Sequence, residues 1–222
     1  MKPLQLQLAV PLRQLVLIGG GEFSFGETRE IDEFLVRQLE RKTIAFLPTA
    51  SGSAEYATHL GRYFKTIDPE ISMLNVPIYR GRDVRRARSL DQLRSAGMIY
   101  VGGGVTNSLV STIRGTPAEE AMRDAAANGT IIAAIGAAAA SFGTHARDMH
   151  SSASALEAFG WLAGTVIETA FEPQDDTMLR RLMSFPDVRT GIGIPAKTAI
   201  AIDSGGSVTL LGSESIAVMR RG

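Results

Sequence analysis

The sequence contains no cysteine and only three histidines, His59, His145 and His150. Disulfides, thiolate nucleophiles and thiolate metal sites are thereby excluded, and three imidazoles give a thin basis for a histidine-rich centre. No metal and no cofactor is expected. Net charge of one sign is also missing: 23 basic side chains balance 23 acidic ones, so no whole-chain field draws the protein to nucleic acid or acidic lipid. No run approaches the roughly 20 apolar residues of a membrane span, and the first residues lack the basic, apolar and small-residue order of a signal peptide. The expectation is a cytoplasmic protein that binds neither nucleic acid nor membrane. What is present is 222 residues, enough for one α/β domain with a sheet covered on both faces and short for two.

Residues 1–14 carry Leu4-Gln-Leu-Gln-Leu-Ala-Val10 between Pro3 and Pro11. This period-two pattern predicts a short edge strand or an arm laid on a partner, which would make a homodimer. A single domain is expected over 15–222. In it, buried-type strands alternate with amphipathic helices: Leu15–Ile18, Thr43–Leu47, a strand within 71–79, Gly97–Val101 and the run from Thr130. The strands Leu15–Ile18, Thr43–Leu47 and Gly97–Val101 each end in a glycine- or serine-rich loop, at the edge where open parallel sheets place their ligands. Thr28 and Ser53 stand as helix N-caps, and Thr116-Pro-Ala-Glu119 has the order of a capping box. His59 lies off the inner stripe of its helix and reads as a surface residue. Arg80 to Arg88 hold five arginines and one aspartate, most simply a solvated face. Thr198–Ile202, Ser207–Leu211 and Ser215–Met219 predict antiparallel hairpins at one side of the sheet.

The organising stretch is Thr130-Ile-Ile-Ala-Ala-Ile-Gly-Ala-Ala-Ala-Ala-Ser-Phe-Gly143, a strand buried on both faces that turns into an Ala-rich helix. Such a junction presents a nucleophile in many hydrolytic folds. Here the expected apex, Ala138, has only a methyl group. Free amides at Gly102-Gly-Gly104 suit an oxyanion or carboxylate. The residues expected to meet a ligand at this edge are Glu22, Ser51, Gly103, Gly104, Asn107, Ala139 and Glu168, with Ser24 beside Glu22.

Leu15–Gly21, Ala45–Ser51, Tyr100–Gly104, Ile135–Ser141, Thr165–Phe171 and Gly191–Ile200 together resemble the peptidase E and cyanophycinase family of serine peptidases, in the same order over nearly the whole chain. The resemblance implies a flavodoxin-like three-layer α/β/α sandwich with a mostly parallel sheet. It also implies hydrolysis of aspartyl dipeptides or β-linked Asp-Arg polymers by a serine nucleophile and a histidine base. The residues that carry this chemistry are replaced. The family's Gly-x-Ser-Ala-Gly stands as Gly136-Ala-Ala-Ala-Ala140, its Asp-x-His-Phe as Glu168-Thr-Ala-Phe171, and its Gly-Ile-Gly-Ile-Asp-Glu as Gly191-Ile-Gly-Ile-Pro-Ala196. Ala138, Ala170, Pro195 and Ala196 thus occupy the expected catalytic positions, and Val105 stands where the family commonly has asparagine. Ser141 with His145, four apart on one helix face, and Glu168 are the available substitutes. Asp148 and His150 lie near the same cleft without an identifiable ligand set. The expectation is an inactive relative that binds a small acidic peptide, an amino-acid-like ligand or a protein partner. The competing expectations are repurposed chemistry in the same cleft, or weak serine-type hydrolysis.

Overall fold

The computed structural model describes residues 4–53, 55–151 and 154–221. In chain order the elements are β1 (Gln7–Leu8), β2 (Gln14–Ile18), α1 (Arg29–Arg37), β3 (Thr43–Leu47), α2 (Glu55–Ile67), β4 (Ser72–Asn75), α3 (Ala87–Ser95), β5 (Met98–Val101), α4 (Thr106–Ile113), α5 (Pro117–Ala127), β6 (Ile131–Ile135) and α6 (Ala137–Ala140). They continue as β7 (His145–Arg147), β8 (Ala155–Glu157), β9 (Leu162–Ala163), β10 (Thr165–Thr169), α7 (Thr177–Met183), β11 (Thr190–Ile194), β12 (Thr198–Asp203), β13 (Val208–Gly212) and β14 (Ala217–Arg220).

The central sheet has the order β13-β12-β2-β6-β5-β3-β4. The pairs from β2 to β4 are all parallel, while β12 runs antiparallel to both β2 and β13. Side chains on a strand alternate faces, so a strand that is apolar throughout must be covered on both sides. In β2, Leu15 and Leu17 join one core with Leu109, Met122 and Trp161. Val16 and Ile18 join the other with Ile31, Leu35, Leu60 and Phe64 from α1 and α2. This is the three-layer α/β/α sandwich expected from the alternating pattern.

Tertiary packing changed several local expectations. The N-terminal arm lies along its own domain: β1 pairs antiparallel with β9, and Leu6 and Val10 are buried. The three C-terminal strands do not form one hairpin series. β12 and β13 extend the central sheet, but β14 crosses to β11 and completes a second sheet, β10-β11-β14. Thr28 does not cap α1; its hydroxyl donates to Asp32 Oδ2 at 2.7 Å. Thr116 likewise makes no cap bond, and Glu119 instead accepts from the Gly115 amide at 2.7 Å. The N-cap expected at Ser53 borders residue 54, which lies outside the described residues. His59 is exposed, and Arg80, Arg82, Arg85, Arg86 and Arg88 are exposed on the turn and first residues leading into α3, as a solvated face requires.

Asp32 is fully buried in the α1–α2 layer, accepts from Thr28 and from the Tyr63 hydroxyl at 2.8 Å, and leaves Oδ1 without a partner. Burial raises its pKa to about 6, against the lowering effect of those two donors and of Arg29. The folded protein therefore holds this proton more tightly than the unfolded chain. The stability it contributes is present at low pH and lost as pH rises through about 6. Asp32→Asn keeps an acceptor and removes the charge, so the variant is expected to gain on the unaltered protein by roughly 1.4 kcal/mol between pH 5 and pH 8, the rest of the effect lying below pH 5. Melting curves of both proteins at the two pH values check this; parallel shifts would contradict it.

Candidate functional site

The parallel strands β2, β3, β5 and β6 end at one edge of the sheet, and the loops that follow them build the site. β6 is apolar throughout and stops at Ile135, where Gly136 takes φ 58°, ψ −131°. That left-handed, extended combination strains any side-chain-bearing residue and is common only for glycine or at functional turns. A Cβ built on Gly136 meets nothing within 4 Å. α6 then runs for four residues only. The strand gives way to the helix at Gly136, where the sequence pattern puts the change, but the strained residue is Gly136 itself, two positions before the expected apex. Ala138 and Ala139 lie inside α6 with no exposed surface, so Ala138 is not the apex and Ala139 offers nothing to a ligand. Gly136 marks the change in the letters, but which residue takes the strained angles is decided by the bond to β2, Gly136 N to Ile18 O.

Two backbone hydrogen bonds fix the neighbourhood. Gly136 N donates to Ile18 O at 2.9 Å, and Ala170 N donates to Gly19 O at 2.7 Å. The strand-to-helix turn and the end of β10 thus flank consecutive carbonyls at the end of β2. Ala170 has φ 49°, a left-handed conformation unusual for a residue with a Cβ. Pro195 and Ala196 run alongside, with Lys197 N donating to Gly20 O at 2.9 Å. They bring no carboxylate to the site.

A cavity of about 270 Å³ lies at the turn, lined by Gly20, Gly21, Ser51, Tyr56, Gly103, Ile135 and Gly136. Gly104 is not part of that lining; it takes φ 147° and packs on the preceding loop, where a Cβ would fall 2.3 Å from Ala50 O. Burial pushes the Tyr56 phenol up to about 12, so it is a neutral donor. The adjoining cavity, about 460 Å³, is lined by Arg147, Glu168, Phe171, Asp175, Thr177 and Met178 together with Ala170. Glu168 is the buried charge in it. Its side chain is 16% exposed, Arg147 Nη1 lies 3.9 Å from its Oε1, and no described residue donates a hydrogen bond to it. Burial raises its pKa to about 7; Arg147 pulls it down and Asp175 pushes it up.

The remaining expected residues separate. Ser51 and Gly103 reach the first cavity and Glu168 the second. Asn107 is engaged in structure, donating to Asp148 Oδ1 at 2.8 Å and accepting from Met149 N at 2.8 Å. Asp148 also accepts from Ser154 Oγ and His150 N, and these bonds hold it at about 2. Glu22 folds onto its own loop, accepting from Ser24 N and Oγ. The Ser141–His145 dyad does not form. α6 ends at Ala140, Ser141 is fully buried and donates to Ala137 O at 3.0 Å, and His145 sits on β7 with its Nε2 2.9 Å from Asp187, stacked on Phe185. Because the helix stops after one turn, the spacing of four carries no shared face. Tyr56, Arg147 and Asp175 are among the lining residues that sequence reasoning missed: Tyr56 reads as an inner-stripe residue of α2, and nothing local marks Arg147 or Asp175.

Loops at the carboxyl ends of a parallel sheet, a strand-to-helix turn with a strained residue and glycine-lined space beside it define a flavodoxin-like α/β protein. The sequence model of peptidase family S51 matches residues 15–210, and the chain belongs to that family. It is similar to the uncharacterized peptidase YgaJ of Bacillus subtilis (strain 168), 29% identical over 159 residues that cover 69% of this chain and 67% of the relative. The fold is shared with a peptidase from an acI-B1 Actinobacterium, with a TM-score of 0.79, 19% identity and coverage of 96% and 93% of the two chains. It is also shared with a protein assigned to peptidase E from Listeria monocytogenes EGD-e, with a TM-score of 0.58, 16% identity and coverage of 95% and 100%. No helix among the described residues is long and apolar enough to cross a membrane.

Proposed function

We infer that this chain is a catalytically inactive member of family S51 that holds a small ligand in the cleft its relatives use for hydrolysis. The observation that carries this reading is the pair Gly136 and Ala170. With the turn at Gly136, the family's Gly-x-Ser-Ala-Gly falls on Ala134-Ile135-Gly136-Ala137-Ala138, and the nucleophile's position has no side chain. Ala170 leaves the base position with a methyl, and Pro195-Ala196 supply no acid. Loss of a triad's nucleophile or base costs on the order of a millionfold.

The ligand is read from the larger cavity. One guanidinium, Arg147, faces Glu168, Asp175 and Glu172 there. A strongly acidic ligand meets net repulsion in that setting, so the acidic peptide suggested by the resemblance gives way to an amino-acid-like zwitterion with a cationic side chain. Its ammonium or guanidinium would lie against Glu168, which lacks a hydrogen-bond donor of its own. A carboxylate that titrates near 7 must lose its proton to receive a cation. Affinity for arginine or an arginine-containing dipeptide is therefore expected to rise about tenfold from pH 6 to pH 8, and Glu168→Gln to flatten that rise. Isothermal titration calorimetry at the two pH values checks this; binding that ignores pH and Glu168 would remove the site from the proposal.

A second reading is favoured by the same carboxyl. A glutamate ionising near neutrality can act as a general acid or base, and repurposed chemistry would make Glu168→Gln lose turnover of a bound ligand. Ligand recovered unchanged after long incubation speaks against it.

A further inference from the structure

The second sheet, β10-β11-β14, ends in a strand with a free edge. Among the described residues β14 pairs only with β11, from Thr190 opposite Arg220 to Gly193 opposite Ala217. One row of its backbone donors and acceptors is consequently left to solvent. Beside that edge runs a groove of about 510 Å³ lined by Arg180, Met183, Ser184, Met219, Arg220 and Arg221. Arg180, Met183 and Ser184 follow the i, i+3, i+4 spacing of one helix face, so α7 presents a continuous wall to the strand.

The charges in this groove are of one sign. Its lining has three guanidiniums and no carboxylate, although the chain as a whole is balanced. Two of the three are committed. Arg180 is paired with Asp176 through Nε and Nη2 at 2.8 and 2.7 Å. Arg221 donates to Met183 O and Phe185 O at 2.7 and 3.0 Å, and so fixes the end of α7 against the strand. Arg220 is exposed, and no hydrogen bond or ion pair engages its guanidinium among the described residues. Val218, 42% exposed, adds an apolar position on the same strand.

We propose that the α7–β14 groove docks an acidic, extended segment of another protein, which adds to β14 as a fourth strand and places carboxylates against Arg220 and its neighbours. Strand addition supplies sequence-independent backbone bonds, and the side chains that alternate toward the groove supply selectivity. The same argument disfavours a second copy of this chain as the occupant. Two β14 edges paired about a two-fold axis would bring two sets of three arginines together, and like charges across a strand pair are destabilising. The groove is separate from the cleft at Gly136 and Glu168, so this proposal stands or falls apart from the functional reading above.

The test uses the full chain and a fluorescein-labelled peptide of alternating Glu and Val, with three controls: alternating Lys and Val, the Glu peptide with proline at alternate positions, and a single-stranded DNA oligonucleotide. Fluorescence anisotropy is expected to show binding of the Glu–Val peptide alone, weakened by added salt and about tenfold by Arg220→Glu. The circular dichroism of that variant establishes that it is folded. Hydrogen exchange is expected to show new protection at alternate amides of β14, a readout that simple charge attraction does not produce. No binding of the Glu–Val peptide at low salt overturns the proposal. Equal binding of the proline-containing peptide removes strand addition, and equal binding of the oligonucleotide reduces the groove to an unselective polyanion surface; either outcome overturns it as stated. A dimer in sedimentation equilibrium that Arg220→Glu strengthens would assign the edge to a second copy instead.

Discussion

The unaltered protein is expected to give no covalent adduct with a fluorophosphonate and no turnover of Asp-X dipeptides, whereas the Gly136→Ser/Ala170→His double variant is expected to be labelled. The geometry permits the restoration. A Cβ at Gly136 meets nothing within 4 Å, so the obstacle is the φ of 58° rather than space. Holding a serine there costs about 1–2 kcal/mol, the kind of strain that nucleophile turns normally contain. Ala170 already carries a side chain at φ 49° and is exposed, so an imidazole has room toward the cleft. Nucleophile and base act as a unit, and either single variant should stay near the background left by binding and oxyanion contacts, roughly a thousand- to ten-thousandfold over water. Ala138→Ser provides the decisive contrast. Its hydroxyl would enter a fully buried site in α6, where an unpaired polar group costs about 1–3 kcal/mol. It should destabilise the protein without creating a reactive centre. Mass spectrometry after labelling reads all five proteins. An adduct on the unaltered chain would end the inactive reading, and labelling of Ala138→Ser in place of the Gly136 variant would return the apex to Ala138.

Trp161→Ala is expected to be the most destabilising single substitution proposed for this chain. Trp161 is fully buried beneath α4 and α5, packed edge-on against Phe142 with ring centroids 5.0 Å apart. Its indole Nε1 donates to Glu119 Oε1 at 3.1 Å, and the Arg123 guanidinium lies 5.6 Å from its ring centre. Truncation removes the aromatic bulk and opens a cavity, together about 3–5 kcal/mol. It also strips a donor from Glu119, a buried carboxylate that accepts from Gly115 N and from Arg123. For a chain of this length the loss corresponds to a fall in melting temperature of about 6–20 °C. Trp161→Phe separates the two contributions, because it keeps most of the ring and drops the hydrogen bond; it should cost about 1–3 kcal/mol. Thermal melts of the two variants test this. A Trp161→Ala protein that melts within a degree or two of the original would show that β9 is not anchored through this residue.

The sequence by itself determined the layer architecture and the edge where the site lies. Leu15–Ile18, Ile44–Leu47, Met98–Val101 and Ile131–Ile135 are apolar runs, and only a strand covered on both faces tolerates that pattern, so a parallel sheet between two helical layers follows from composition and spacing. The glycine and proline stops after those strands mark one common edge. That Ala170, Pro195 and Ala196 carry neither an imidazole nor a carboxylate is likewise legible in the letters alone.

Only the tertiary structure decided which residue of Ile135-Gly-Ala-Ala-Ala-Ala140 stands at the strained apex, because the letters mark the change at Gly136 without fixing the backbone angles, and Gly136, bonded to Ile18, takes the left-handed φ of the apex expected at Ala138. Only it separated Ser141 from His145, since the spacing rule assumes a helix that packing cuts to one turn. It alone sent β14 to β11 instead of to β13, and it alone brought Arg147 to Glu168 across 20 intervening positions of chain order. In each case the deciding contact is long-range, between residues whose local preferences are satisfied in either arrangement, so burial and backbone pairing choose between them and no local pattern records the choice.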